Sequence, residues 1–168
     1  DDLYRCGEIA EPYYGENYKQ LGWIAETDFE YEGTFVLSEE ACHSEDISLI
    51  LKGIDTFAKV SINDMPVCRT ENMFVEYAEQ INALVHSGQN TLRVRMRSTK
   101  RAMERIDTTG YFGVFNVPRL FVRKAQCHFG WDWAPDLCGY GIWQPVYVVC
   151  RKKPRIESVN YWADPGGD

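Results

Sequence analysis

A carboxylate between two tryptophans is the feature of this sequence best suited to chemistry. Asp132 follows Trp131 and precedes Trp133, and Gly130 and Pro135 bracket the group. Tryptophan rings can cover the apolar C–H face of a sugar, while a carboxylate accepts hydrogen bonds from sugar hydroxyl groups. One interpretation of this stretch is therefore a sugar-binding loop.

The same stretch also has a purely structural interpretation. Aromatic side chains bury a large apolar area, so the tryptophans of such a turn can pack into the hydrophobic core. Asp132 would then cap a turn or pair with a cation at Arg119, Arg123 or Lys124. Residue types alone leave both interpretations open. They differ in whether Asp132 is exposed at a loop tip or buried in an ion pair.

A loop between two strands must carry these residues. Pro135 cannot continue a helix, and a buried strand would need a partner for Asp132. We predict a strand that begins at Phe121, a rigid turn, and a loop that returns through two glycines. A second strand, Trp143–Val149, follows the loop.

Short strands separated by turn residues predict the rest of the fold. Apolar and polar residues alternate over several segments, and Gly, Asn, Asp and Pro mark the links. The pattern favours an all-β protein, a jelly-roll-like antiparallel β-sandwich with few short helical turns. The other predicted strands are Tyr31–Leu37, Asp46–Lys52, Phe57–Ile62, Met65–Val67, Phe74–Ala78 and Thr91–Arg97. Helical turns are predicted at Asn17–Leu21, Gln80–Val85 and Lys100–Arg105.

Length, composition and charge suit a single folded domain. The 168 residues can enclose one hydrophobic core, and a hydrophobic fraction of 45% excludes general disorder. The net charge of −7, with basic residues only in short clusters, argues against a nucleic-acid partner. The sequence lacks a run of about 18 apolar residues, so we predict no membrane partner or span.

The cysteines give no metal or redox motif. The six cysteines include no Cys-x-x-Cys pair, and the spacing of Cys127, His128 and Cys138 fits no familiar zinc pattern. We expect reduced thiols that pack as small apolar groups, with no metal and no cofactor. Reduced thiols favour a cytoplasmic location. Because no signal region is visible, a periplasmic or secreted parent protein stays open.

One long motif extends well beyond the tryptophan pair. It consists of Phe121-Val-Arg-Lys-Ala-Gln-Cys127, Phe129-Gly-Trp-Asp-Trp133, Pro135 and Gly141-Ile-Trp143. This motif resembles the signature of β-mannosidases of glycoside hydrolase family 2. It lies in their galactose-binding-domain-like N-terminal sandwich, often called the sugar-binding domain. Further similar segments extend the resemblance from about residue 3 to residue 150.

The resemblance implies a role for the loop within a larger enzyme. Trp131 would wall the subsite that holds the terminal mannose, and Asp132 would accept hydrogen bonds from its hydroxyl groups. The residues expected to shape the loop are Gly130, Trp133 and Pro135. Ala134 stands where glycine is usual in that family.

Catalysis is expected to lie outside this chain. In the resembling enzymes, the two catalytic carboxylates belong to a separate (β/α)8 barrel, so the chain is expected to hold no catalytic residue. The sequence also shows no convincing Ser-His-Asp or Cys-His arrangement. His128 is interpreted as a structural donor, and Asp55 and Asn72 as structural turn residues.

The resemblance also implies a domain boundary and partners. Residues 1–150 correspond to the sandwich without its first strand, and residues 151–168 to a linker, with Arg155–Tyr161 as the first strand of a following domain. The expected partners are a β-mannoside or other glycan, held in the complete active site, and a (β/α)8 catalytic domain in cis. The alternatives are an independent carbohydrate-binding module, a structural spacer, or the same domain of a β-galactosidase-like or β-glucuronidase-like enzyme.

Overall fold

Strands with alternating apolar side chains make up most of this fold. The computed structural model describes residues 2–114, 116–152, 156, 158–163 and 166. The strands are β1 (Phe29–Leu37), β2 (Asp46–Leu51), β3 (Ile54–Asp55), β4 (Ala58–Ile62), β5 (Met65–Thr70), β6 (Tyr77–Gln80), β7 (Gly88–Met96), β8 (Gly141–Ile142) and β9 (Val146–Arg151). The α-helices are α1 (Asp2–Arg5), α2 (Glu39–Cys42) and α3 (Thr99–Met103). The 3-10 helices are Asn17–Gln20, Gly22–Glu26, Asn82–Leu84, Pro118–Phe121 and Gln126–Phe129.

The strands form two larger antiparallel sheets and one short pair. The first sheet has the order β1–β7–β4–β5, the second has the order β6–β2–β9, and β3 pairs with β8. Neighbours in a sheet are often distant in the chain, as β1 and β7 or β2 and β9 are. Such long-range antiparallel pairing is typical of a sandwich. The predicted all-β, jelly-roll-like, galactose-binding-domain-like sandwich is therefore confirmed.

One face of each central strand supplies the hydrophobic core. On β2, Ile47, Leu49 and Leu51 are buried, while the residues between them are partly exposed. Successive side chains on a strand point to opposite faces, so this alternation places all three on the core side. The other buried members of the core are Ile54, Ala58, Val60, Ile62, Ile81, Val94 and Met96.

A two-residue turn joins β4 to β5. Asn63 and Asp64 have φ values of 50° and 67°, the left-handed backbone of the tight turns that match strand twist. The Asn63 amide also donates to the Leu84 carbonyl at 2.9 Å and to the Asn90 side-chain oxygen at 2.8 Å. This turn is therefore fixed both by its own backbone conformation and by hydrogen bonds to distant residues.

The strand predicted to begin at Phe121 is wrong. That segment is the 3-10 helix Pro118–Phe121, in which Pro118 occupies the first turn. Proline has no N–H and a fixed φ, which suit the first turn of a helix. The chain becomes extended only at Val122, and Arg123 makes an isolated parallel bridge with Asn72.

Two other strand predictions are displaced along the chain. The strand predicted at Phe74–Ala78 is β6 (Tyr77–Gln80), because the Asn72 side chain accepts the Phe74 N–H at 2.9 Å and turns the backbone first. The strand predicted at Trp143–Val149 begins only at Val146 as β9, since the Trp143 N–H donates to the Gly53 carbonyl at 3.1 Å. The remaining predicted strands and helical turns are present with shifted ends.

The C-terminal segment is described only in part. Of the strand predicted at Arg155–Tyr161, residues 155 and 157 lie outside the described residues, and 156 and 158–161 form no strand. No helix among the described residues is long and apolar enough to span a bilayer. The same residues contain no group of three or more His, Cys, Asp or Glu side chains arranged to hold a metal ion.

Leu49→Ala is expected to lower the free energy of unfolding by about 2–5 kcal/mol, because it opens a cavity beneath the centre of the second sheet. The Leu49 side chain is 0% exposed. For a domain of this size the melting temperature falls by about 2–4 °C per kcal/mol. Urea unfolding followed by circular dichroism measures the change.

Val36→Ala is the matched control, because Val36 lies on β1 and is 73% exposed. We expect its free energy of unfolding to stay within about 0.5 kcal/mol of the wild type. Equal losses for the two variants would contradict the assigned position of the core.

Candidate functional site

Asp132 and Trp133 form the tip of a tight turn. The Trp131 N–H donates to the Ala134 carbonyl at 3.1 Å, and the Ala134 N–H donates back to the Trp131 carbonyl at 3.3 Å. These reciprocal bonds close the turn. Both tip side chains are exposed, Trp133 to 75%. The turn therefore presents a carboxylate and an aromatic ring to the surroundings.

Backbone geometry on either side of the tip explains its flanking residues. Gly130 has a φ of 88°, a conformation that L side chains rarely adopt. Ala134 lies outside the left-handed region, so alanine fits where glycine is usual in the resembling family. The Pro135 carbonyl accepts the Leu137 N–H at 3.0 Å, which begins the return of the loop.

Arg119 holds the Trp131 ring. The guanidinium carbon lies 5.4 Å from the ring centroid, within the range of a cation–π interaction. Arg119 is buried, whereas Trp131 is exposed. The ring is thus supported on the protein side and accessible elsewhere, an arrangement that suits stacking on a ligand.

Asp132 does not form the ion pair that was one form of the structural interpretation. Within the described part of the chain the ion pairs do not include Asp132, and Lys124 pairs with Asp55 instead. An exposed carboxylate at a turn tip is free to accept hydrogen bonds from a ligand. The ion pair with Arg119, Arg123 or Lys124 is therefore not formed among the described residues.

A buried ion pair lies at the base of the loop, where the sequence interpretation did not place one. The Lys124 ammonium donates to the Asp55 carboxylate and, at 2.6 Å, to the Gly139 carbonyl. The Thr56 hydroxyl also donates to Asp55. The Lys124 side chain is 0% exposed, and that of Asp55 is 6% exposed.

The sequence held a weak signal for this pair. Lys124 follows Val122 and Arg123 and precedes Ala125, and a lysine that is not exposed in such a segment requires a partner. Asp55 was interpreted as a turn residue near Asn72, and the two do not form a shared site. Asn72 instead bridges to Arg123, next to the lysine.

Electrostatics keep Asp55 charged. Burial raises the pKa of Asp55, but the Lys124 ammonium and the Thr56 hydroxyl, which both donate to its carboxylate, hold it below its ordinary value. His128 Nδ1 lies 3.6 Å from the carboxylate, a separation longer than a hydrogen bond. Burial also raises the pKa of the Cys138 thiol to about 11, so this thiol is neutral at physiological pH. The cluster is thus a structural charge pair without a reactive nucleophile.

A cavity of about 400 Å³ lies beside the return segment of the loop. Residues from the N-terminal segment line it together with 136–140 of the return segment. Trp131 and Asp132 are not among its described lining residues. The cavity and the turn are therefore separate features of the described surface.

Comparisons with known proteins identify relatives over nearly the whole chain. The family model described as glycosyl hydrolase 2 galactose-binding domain-like matches residues 1–144. The beta-mannosidase of Capra hircus is 34% identical over 94% of this chain and 18% of its own length. Beta-mannosidase B of Emericella nidulans is 33% identical over 86% of this chain and 18% of its own length.

A solved structure is similar to this chain over the same region as these relatives. The crystal structure of beta-D-mannosidase from Dictyoglomus thermophilum has a TM-score of 0.88 and 35% sequence identity, and the match covers 93% of this chain and 20% of that one. The chain therefore spans about a fifth of the length of the relatives it matches.

Asp55→Asn is expected to destabilise the chain near pH 7 by about 3–5 kcal/mol, because it leaves the buried Lys124 ammonium without a countercharge. The folded pKa of Asp55 lies below the unfolded value of about 3.9. Its stabilisation is therefore present above the unfolded pKa and is lost as pH falls through the lower folded pKa. The two unfolding free energies should converge in acid below about pH 4, as urea titrations at a series of pH values would measure.

Glu45→Gln provides the control, since it neutralises an exposed carboxylate. Its free energy of unfolding should stay within about 0.5 kcal/mol of the wild type at each pH. A gap between wild type and Asp55→Asn that stays constant from neutral to acid pH would contradict the charged pair.

Proposed function

Since the chain belongs to the glycosyl hydrolase 2 galactose-binding domain-like family, we propose that it is the non-catalytic N-terminal domain of a β-mannosidase-like glycoside hydrolase. The full-length enzyme would hydrolyse terminal β-D-mannose residues. The observation that carries the proposal is the match over 93% of this chain, at a TM-score of 0.88, to a fifth of a beta-D-mannosidase. Catalysis would reside in a (β/α)8 barrel in cis, which would carry both catalytic carboxylates.

The turn would contribute side chains to the substrate pocket of that enzyme. Asp132 would accept hydrogen bonds from hydroxyl groups of the terminal sugar, and Trp131 would wall the pocket with its ring. The residues that would shape the loop are Gly130, Trp133 and Pro135. The exposure of Asp132 at the turn tip supports this role, because an ionised carboxylate accepts hydrogen bonds but donates none.

The domain would act as part of a site rather than as a complete one. Each neutral hydrogen bond contributes a net of only about 0.5–1.5 kcal/mol, which barely offsets the cost of fixing a hydrated sugar on an open surface. The domain would extend over about residues 1–150, with 151–168 as a linker, and β9 ends at Arg151. A second, catalytic surface would close the pocket and exclude water.

The isolated chain is expected to be inactive on aryl β-mannosides, because the carboxylates that cleave the glycosidic bond would lie outside it. Release of nitrophenol from p-nitrophenyl β-mannoside measures turnover. Activity that survives repeated purification and rises in proportion to the concentration of the chain would contradict this expectation.

Asp132→Ala, in the enzyme that carries this domain, is expected to lower kcat/KM for an aryl β-mannoside by roughly ten- to several hundred-fold. Removal of a carboxylate from a site built around a hydroxyl costs about 1–3 kcal/mol or more, and each tenfold loss corresponds to about 1.4 kcal/mol. The melting temperature should stay unchanged, since Asp132 is exposed. Kinetics and thermal unfolding are measured on the same preparation.

Glu45→Ala is the matched control, an exposed carboxylate on the segment before β2. It should retain wild-type kcat/KM. Full activity of Asp132→Ala together with a lowered melting temperature would show that Asp132 is structural. Faster cleavage of the corresponding galactoside or glucuronide by the wild type would contradict the assignment to mannosides.

A further inference from the structure

Lys124 joins the two ends of the loop that carries the turn. Its ammonium donates to the Gly139 carbonyl at 2.6 Å, so residues 124 and 139 are held together across the intervening segment. The same ammonium donates to Asp55, which belongs to β3. The Asp55 backbone is paired with Gly141, just after the loop. One side chain thus ties both ends of the loop to the sandwich.

Stability alone does not account for a charged pair at this position. Desolvation offsets much of the attraction between two buried charges, and apolar residues of similar volume often stabilise a fold equally well. The Lys124 and Asp55 side chains are almost completely enclosed. What an apolar side chain cannot do is donate to the Gly139 carbonyl. The ammonium therefore contributes geometry that packing would not supply.

The turn is attached to the sandwich through the ends of the loop as well as through Arg119, which contacts the Trp131 ring. The backbone bonds that close the turn connect Trp131 and Ala134 to each other rather than to a sheet. Elsewhere in the loop, Phe129 and Cys138 pack in a small apolar cluster with Val122. The cluster secures the middle and the return of the loop, while Lys124 fixes the distance between its ends.

We propose that Lys124, held by Asp55, is a positioning residue that sets where Asp132 stands in the substrate pocket. Its ammonium fixes both ends of the loop, and the loop places the turn. The role in substrate binding rests on the proposed function of Asp132. Neither Lys124 nor Asp55 contacts substrate in this scheme, so their effect on kinetics passes through the turn.

The variant that tests the proposal replaces both charges together, as Asp55→Leu with Lys124→Met. A single replacement would leave one charge buried without a partner and would risk unfolding. The double replacement keeps the site filled with apolar groups but removes the bond to Gly139. The control pair is Glu30→Leu with Arg95→Met, which removes an exposed ion pair between β1 and β7.

Kinetic measurements on the enzyme that carries this domain distinguish a positioning role of Lys124 from a purely structural role. The Asp55→Leu/Lys124→Met pair should lower kcat/KM for an aryl β-mannoside at least tenfold at a temperature where circular dichroism shows the protein folded. In an enzyme that already contains Asp132→Ala, the same pair should add less than a twofold loss, because the two changes act on one interaction. Losses that multiply, or full activity of the pair, would overturn the proposal. The control pair should retain wild-type activity.

A second measurement on the 168-residue chain does not depend on any enzymatic role. Backbone order parameters of residues 125–138 should fall from the rigid range near 0.85 to below about 0.6 in the Asp55→Leu/Lys124→Met variant. Those of the first sheet should not change. Unchanged order in the loop would overturn the role of Lys124 whatever the enzyme does. Full activity of Asp132→Ala would overturn the proposed function instead, and the order parameters would still decide whether Lys124 fixes the loop.

Discussion

The pairing of Lys124 with Asp55 is the constraint on which the loop region depends. A fully enclosed ammonium needs groups that compensate its charge, and here the Asp55 carboxylate of β3 and the Gly139 carbonyl supply them. The Asp55 backbone also pairs with β8, so one residue holds the loop through its side chain and the following strand through its main chain. Loss of either partner would affect loop and sheet together.

The sandwich and the loop use different means to hold their shape. The sheets satisfy their backbone groups in ladders and bury one face of each strand, as β2 does with Leu49. The loop after residue 124 lacks such ladders over most of its length, and its shape relies on side chains such as Lys124 and on the small cluster around Phe129. A binding group on a loop is placed accurately only when such supports restrict the loop.

Local sequence patterns were sufficient to predict the sheets but not to predict the candidate site. The alternation along β2 depends on neighbouring residues, so it was predictable. Prediction failed at Phe121 and at Phe74, where Pro118 and the Asn72 side chain redirect the backbone. Asp55 and Lys124 are 69 residues apart, and no periodicity marks two residues that meet only after the sheets have formed. Exposure of Asp132 could likewise be decided only from its surroundings.

Two carboxylates in this region illustrate opposite uses of the same group. Asp55 is enclosed with its countercharge, and its carboxylate accepts hydrogen bonds from other residues of the fold. Asp132 is exposed at the turn tip, where water solvates it at little cost to folding. A second surface that covered the turn would remove that water and strengthen each bond from Asp132 to a bound hydroxyl group, because the effective dielectric constant falls. In the proposed function, a site divided in this way would gain its affinity only when its two surfaces met around the sugar, so the first surface would have to be held in place beforehand.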